Sequence, residues 1–204
     1  MDFLRRFAVL AWLAAALVIL VLVVAAFFLL RSKHPSIPPG LVEKRQAVSD
    51  ILKQSNGTED VDIRPLVDLE AKKNYGGAVA LMERAISENQ VHHDLASSLV
   101  GVAGELSRLA VQVKPDDVGA KAVGAFSLLT KFAEANRTFY EDRGELYHMT
   151  RDYYAGLAAK KSPAIPDTLR HIVDTVTKDR AAASTLNQQF ASAIKAFDAM
   201  VGKK

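Results

Sequence analysis

The residues best suited by type and spacing to bind a metal ion are Glu145 and His148, which form a Glu-x-x-His sequence. On a helix this spacing places a carboxylate and an imidazole on one face, as in each half-site of a carboxylate-bridged di-iron bundle. A complete centre needs a second Glu-x-x-His and further glutamates from facing helices. The remaining acid–histidine pairs have a spacing of four: Glu88 with His92, and Asp167 with His171. The sequence therefore predicts no metal and no cofactor, and a di-metal enzyme or sensor is the alternative.

The other chemical signals predict a protein without enzymatic activity. The cluster His92-His93-Asp94 is interpreted as the surface-exposed start of a helix, because adjacent helical positions point in different directions. The chain contains no Cys, which excludes disulfides and thiolate metal sites. It also contains no Gly-x-Ser-x-Gly, His-Glu-x-x-His or dinucleotide-binding motif. We therefore expect binding rather than catalysis.

Bulky residues in adjacent pairs recur every seven residues in the segment after Pro115. The clearest pairs are Phe139 with Tyr140, Leu146 with Tyr147, and Tyr153 with Tyr154. Adjacent positions diverge by about 100° on a helix, so these pairs predict a broad apolar face that contacts two neighbouring helices. Three polar residues interrupt one edge of this face at intervals of seven, which indicates either a buried polar register or an exposed seam. We favour the exposed seam, because Arg is rarely buried without a partner. They are Asn136, Arg143 and Thr150.

The prolines divide the rest of the chain into helical segments. Four of them, Pro65, Pro115, Pro163 and Pro166, lie between segments of helical periodicity, where they can begin or separate helices. No segment has the alternating pattern of a strand. The sequence predicts helices at 41–55, 65–73, 75–88, 91–113, 117–160 and 167–201.

Two of these segments indicate how the helices pack. Apolar residues in 91–113 alternate in steps of four and three, which is typical of a helix in a bundle or coiled coil. They are Leu95, Leu99, Val102, Leu106, Leu109 and Val113. The short connection between the last two helices predicts an antiparallel hairpin. The predicted fold class is all-α, an elongated antiparallel bundle of about five to six helices that follows one N-terminal transmembrane helix.

The transmembrane helix is predicted from Phe7–Leu30, a run without charge, Pro, Gly or hydroxyl side chains. As a helix it would be about 36 Å long, which is enough to cross a hydrocarbon layer of about 30 Å. The run is longer than the apolar core of a cleaved signal peptide. Phe7 and Leu30 bound the membrane anchor, and Trp12 is expected near an interface. The predicted divisions are an anchor at 1–31, a Pro-rich spacer at 32–40 and a soluble bundle at 41–204.

Charge limits the classes of partner. The chain has 26 basic and 23 acidic residues, of which four basic residues and one acidic residue fall in the first forty positions. The remainder is therefore neutral, and it lacks the basic surface needed to bind nucleic acid. Basic residues flank the apolar run on both sides, so orientation is open. We expect a single-pass protein of the cell membrane with its bundle on the extracytoplasmic side, and a cytoplasmic bundle is the alternative.

Residues 64–88 resemble one helical hairpin of the tetratricopeptide type. In its second helix an aromatic residue, a small residue, a bulky residue and a second small residue occupy the positions of Tyr75, Ala78, Met82 and Ala85. The resemblance implies a contact surface beside Tyr75–Ile86. The alternative is that any tightly packed helical hairpin selects small residues at its crossing. The overall plan, a membrane helix followed by a helical bundle, also looks like that of LemA-type bacterial envelope proteins.

These observations together predict a membrane-anchored protein-interaction or scaffolding module. Its predicted partners are the lipid bilayer and another protein, and a homo-oligomer is left open. The candidate partner-binding residues lie on the aromatic face and on the hairpin-like segment. They are Tyr75, Met82, Tyr140, Tyr147, Tyr153 and Tyr154.

Overall fold

The structure is a computed structural model that describes residues 35–161, 163–165 and 167–202. These residues form five α-helices: α1 Pro39–Gly57, α2 Pro65–Ala71, α3 Tyr75–Ala110, α4 Asp116–Ala158 and α5 Asp167–Val201. The described part contains no β-strand, and its one antiparallel β-bridge joins Ser36 to Lys114. The all-helical fold class is therefore confirmed for these residues.

The helices begin where local chemistry favours it. Pro39 and Pro65 occupy the first turns of α1 and α2, where a missing backbone N–H costs nothing. The side chain of Asn74 accepts a hydrogen bond from the backbone N–H of Gly77 at 3.0 Å and so caps α3. Two acidic residues, Asp116 and Asp117, lie in the first turn of α4, where they complement the helix dipole.

The long helix α4 runs antiparallel to both α3 and α5. α3 packs on α4, and α4 packs on α5. The shorter α1 lies along α3, and the Lys44 ammonium is 2.6 Å from the Glu105 carboxylate there. The Arg45 guanidinium also pairs with the Asp198 carboxylate of α5 at 2.8 Å. The predicted antiparallel hairpin of the last two helices is confirmed.

One end of the bundle has a buried apolar core, which we call the apolar end. Phe126 of α4 meets Phe197 of α5 edge-on, with ring centroids 6.1 Å apart. Alanines of α3 and α4 let the helix backbones approach closely around these rings. The apolar end comprises Leu41, Val48, Leu99, Ala103, Leu106, Ala110, Val113, Val118, Ala122, Phe126, Leu129, Phe132, Ala133 and Phe197.

One predicted helix boundary is wrong, and one predicted segment overlaps a helix. The helices expected at 75–88 and 91–113 are one helix, α3, because no Pro or Gly lies between them and Asn89 bonds inward to α4. The spacer predicted at 32–40 overlaps α1, which begins at Pro39. Ser36 is also tied to the bundle, because its N–H donates to the Lys114 carbonyl at 2.8 Å.

The membrane anchor predicted from Phe7, Trp12 and Leu30 lies outside the described residues. Among the helices that are described, none is both long enough and apolar enough to span a bilayer.

Candidate functional site

The bundle interior contains a buried arginine beyond the apolar end, further along α4. Arg143 of α4 is only 8% exposed. Its Nε donates to Oδ1 of Asn89 on α3 at 2.6 Å, and its Nη2 donates to Oδ1 of Asp60 at 2.9 Å. The Asn89 Nδ2 in turn donates to the backbone carbonyl of Tyr140 at 2.8 Å. This network joins α3, α4 and the segment between α1 and α2.

Aromatic rings surround the Arg143 guanidinium. Its Cζ lies 4.7 Å from the ring centroid of Tyr140, 5.2 Å from that of Phe139 and 5.7 Å from that of Tyr147. The negative faces of aromatic rings attract a guanidinium, most strongly when water is excluded. Since Asp60 supplies the opposite charge, the buried cation is compensated. The predicted exposed seam is wrong at Arg143, because two hydrogen-bond acceptors, Asn89 and Asp60, and the surrounding rings offset the cost of burying the guanidinium.

His92 is the second buried polar side chain of this region, and it is 3% exposed. Its ring stacks on that of Tyr140, with centroids 5.1 Å apart and an interplanar angle of 8°. Its Nε2 lies 3.4 Å from Oδ1 of Asp60, but the two atoms are not aligned for a hydrogen bond. Burial lowers the pKa of His92, and the nearby Arg143 lowers it further against the attraction of Asp60. The predicted surface helix start is therefore wrong, since His92 lies inside α3. We call Asp60, Asn89, His92, Tyr140 and Arg143 the polar end.

A groove of about 930 Å³ opens beside the polar end. Its walls come from α1 with the following segment, from α4 and from α5. Arg143, Asp60 and Tyr140 connect it to the buried network. The lining residues are Leu52, Ser55, Asn56, Asp60, Val61, Ile63, Phe132, Asn136, Phe139, Tyr140, Arg143, Leu146, Tyr147, Val176, Thr177, Arg180, Ala183, Ser184 and Asn187.

Comparison with known proteins adds no relative. No protein-family model, curated protein or solved structure matches this chain.

The groove contains two cationic side chains and one carboxylate. Asp60 pairs with Arg143, whereas no carboxylate of the described residues lies within 4.0 Å of the Arg180 guanidinium on the α5 wall. Burial raises the pKa of the Tyr140 hydroxyl, although the positive charges of Arg143 and Arg180 oppose this rise. Burial likewise raises the pKa of Tyr147. Both phenols are therefore neutral hydrogen-bonding groups at physiological pH.

A glycine makes room for the network. A Cβ atom added to Gly144 would lie 3.0 Å from the Asn89 Nδ2, which is closer than side chains normally approach. Gly144 therefore lets α3 approach α4 closely enough for Asn89 to reach both Tyr140 and Arg143.

The predicted partner-binding residues divide into two groups. Tyr140 and Tyr147 line the groove. At the far end of α4, Tyr154 is buried, stacks on Tyr75 with centroids 6.4 Å apart, and contacts Tyr153 edge-on at 5.3 Å. The Tyr154 hydroxyl donates to Glu70 at 3.1 Å, and burial together with this carboxylate raises its pKa to about 12. Met82, also predicted, is fully buried in the bundle.

The metal-binding alternative gains no support from these residues. Glu145 and His148 are both exposed on α4. Within the described part of the chain, no three His, Cys, Asp or Glu side chains are grouped so that they could hold a metal ion.

Sequence reasoning missed Asp60, Asn89 and His92, although one signal was present. The buried residues of α3 follow steps of four and three without interruption, and Asn89 and His92 occupy two of those positions. They are Ala78, Met82, Ala85, Asn89, His92, Ala96, Leu99, Ala103, Leu106 and Ala110. A polar residue in register with such a stripe indicates a buried network. Asp60 follows no such pattern.

Proposed function

We propose that the helical part of this chain is a non-enzymatic protein-interaction module and that the groove is its contact surface. The observation that carries this proposal is an open groove of about 930 Å³ with a fixed polar wall. Arg143 is held by Asn89 and Asp60 and enclosed by aromatic rings. A wall that is ordered before binding loses little conformational entropy when a partner arrives.

The groove lining favours binding over catalysis. Among the described residues that line it there is no His, Cys or Lys. Its one carboxylate, Asp60, is paired with Arg143 and is not free to act as a general base. The hydroxyls of Ser55, Thr177 and Ser184 therefore have no activating group in the lining, and we assign them to hydrogen bonding.

We also propose that Phe7–Leu30 anchors the module in the cell membrane, with the bundle on the extracytoplasmic side. The support is the uninterrupted apolar length of that run. Alkaline carbonate extraction should leave the full chain in the membrane pellet. Protease added to intact cells should digest the bundle, and recovery of an intact bundle until the membrane is permeabilised would place it on the other side.

A site-specific cross-linker tests the binding proposal. Benzoylphenylalanine placed at Asn187, in the groove, should give a discrete cross-linked product in cells. The matched position is Ala182, which is exposed on the same helix outside the groove lining. A second substitution, Ser184→Trp, should fill the groove and abolish the product. Cross-linking that is equal at both positions, or that survives Ser184→Trp, would contradict the proposal, and a product containing two copies of this chain would identify a homo-oligomer.

A further inference from the structure

We infer that the groove binds an extended peptide segment of a partner protein, and that an acidic side chain of this segment pairs with Arg180. This inference rests on the proposed function, because it names the kind of partner that the groove receives. Three features of the groove support it: its length, its free amide groups and its charge.

The length of the groove matches an extended chain. The lining follows α4 from Phe132 to Tyr147, a distance of about 22 Å at the helical rise. An extended peptide advances about 3.3 Å per residue, so about seven residues would fill it. A compact small molecule would contact only part of this length.

Amide side chains stand on all three walls. Asn56 comes from α1, Asn136 from α4 and Asn187 from α5. None of these amides is hydrogen-bonded to another side chain or backbone group in the described part of the chain. Each offers a donor and an acceptor, which is the combination that a peptide backbone requires in every residue. Backbone recognition of this kind suits a segment without secondary structure of its own.

The charge of the groove selects an acidic side chain. Asp60 neutralises Arg143, so the remaining positive charge belongs to Arg180. Arg180 stands near the middle of the α5 residues that line the groove, which extend from Val176 to Asn187. Apolar and aromatic side chains such as Phe139 and Val176 lie between these polar points, together with the hydroxyls of Ser55, Thr177 and Ser184. We therefore expect the acidic residue of the partner to be flanked by apolar residues.

A peptide library provides the probe. Random seven-residue peptides displayed on phage are selected on the purified full chain and counter-selected on the Ser184→Trp variant. Enriched peptides should contain Asp or Glu next to apolar residues. Each enriched peptide is then synthesised in two forms, one with its Asp or Glu and one with Asn or Gln in that position. Replacement by the amide should weaken binding about tenfold, the size expected for loss of one charge-assisted hydrogen bond.

Variants of the protein assign the acid to Arg180. Arg180→Gln should bind the acid and amide peptides equally, whereas Arg170→Gln should retain the tenfold difference. Arg170 is exposed on the same helix, so both variants lose one charge, and equal melting temperatures check that both fold. An unchanged preference in Arg180→Gln, enrichment of neutral or basic peptides, or no enrichment at all would overturn the inference. If Ser184→Trp still abolishes cross-linking in cells, the proposed function stands and only this choice of ligand fails.

Discussion

The apolar end and the polar end are built from the same helices by different kinds of interaction. At the apolar end, α3 contributes Leu99 and Leu106, which pack in any direction that excludes water. At the polar end, the same stripe of α3 contributes Asn89 and His92, whose partners must lie at defined positions. Hydrogen bonds require their partners at defined distances and angles, whereas apolar packing does not. In return, they hold the wall of an open groove in a fixed shape. The first end supplies stability, and we propose that the second supplies a surface for recognition.

The largest expected effect comes from breaking the apolar end. Phe126→Ala removes a fully buried ring that contacts Phe197. We expect the free energy of unfolding to fall by about 3–5 kcal/mol, because the loss of burial adds to the cost of a cavity. Urea unfolding followed by circular dichroism measures the change. The half-buried Phe190 is the control, and a loss as large in Phe190→Ala would contradict this account of the core.

A smaller loss is expected when one partner is removed from the polar end. Asn89→Ala leaves the buried Arg143 Nε without its acceptor, which should cost about 2–4 kcal/mol. The double variant Asn89→Leu with Arg143→Met removes the buried charge together with its partner. It should recover most of that loss, because Asp60, whose side chain is 60% exposed, can return to water.

The double variant should nevertheless lose the groove as a binding surface. A double-mutant cycle of Asn89→Leu, Arg143→Met and the double variant, measured by urea unfolding with cross-linking at Asn187 as the second readout, separates the two effects. Additive losses of stability in the cycle would show that Asn89 and Arg143 do not act as a unit.

The sequence predicts the apolar end better than the polar end. Helical periodicity, together with the flanking Pro115, Pro163 and Pro166, predicted the bounds of α4 and α5 to within two residues. It failed between residues 88 and 91 of α3, where Asn89 and Gln90 were interpreted as a boundary. Polar residues in a helical stripe look like a break until the partners that bury them are known.

The prediction of which residues of 91–113 are buried was partly wrong for a related reason. Leu99, Leu106 and Val113 are buried as predicted, but Leu95, Val102 and Leu109 are only partly buried. Alanines take the alternate core positions, because close helix packing needs small residues where the backbones meet. A ranking by side-chain size cannot find such positions. The groove was equally hidden, since Asn56, Asn136 and Asn187 come together only when three helices assemble.

A pair of carboxyl side chains between α4 and α5, Asp142 and Asp179, makes the stability of the bundle depend on pH. Burial and the adjacent Asp179 raise the pKa of Asp142 to about 6, and Glu141 and Glu145 act in the same direction. Because the folded-state pKa lies above the unfolded value, this carboxyl favours the folded state at low pH. That contribution is lost as the pH rises through about 6.

Asp142→Asn should therefore stabilise the protein at pH 7 and have no such advantage near pH 4. Thermal unfolding of the parent and of Asp142→Asn across this pH range measures the difference in their stability. His92 titrates in the opposite sense in both proteins, so its contribution cancels in that difference. The exposed Asp174 on α5 provides the control substitution, Asp174→Asn. A difference between Asp142→Asn and the parent that does not vary with pH would contradict the assignment.

The smallest expected effect is the difference in stability between alanine substitutions at two glycines of α4. Nothing lies within 4 Å of a Cβ added at Gly124, whereas a Cβ at Gly144 would lie 3.0 Å from the Asn89 Nδ2. Gly124→Ala should raise the free energy of unfolding by about 0.5–1 kcal/mol, the usual gain from replacing Gly in an exposed helical position. Gly144→Ala gains the same helix propensity but displaces Asn89, so we expect no gain or a net loss. Equal gains would mean that the Asn89 amide can shift without losing Tyr140 or Arg143. In that case the polar end would be adjustable, and the claim that the network fixes the groove wall would fail with it.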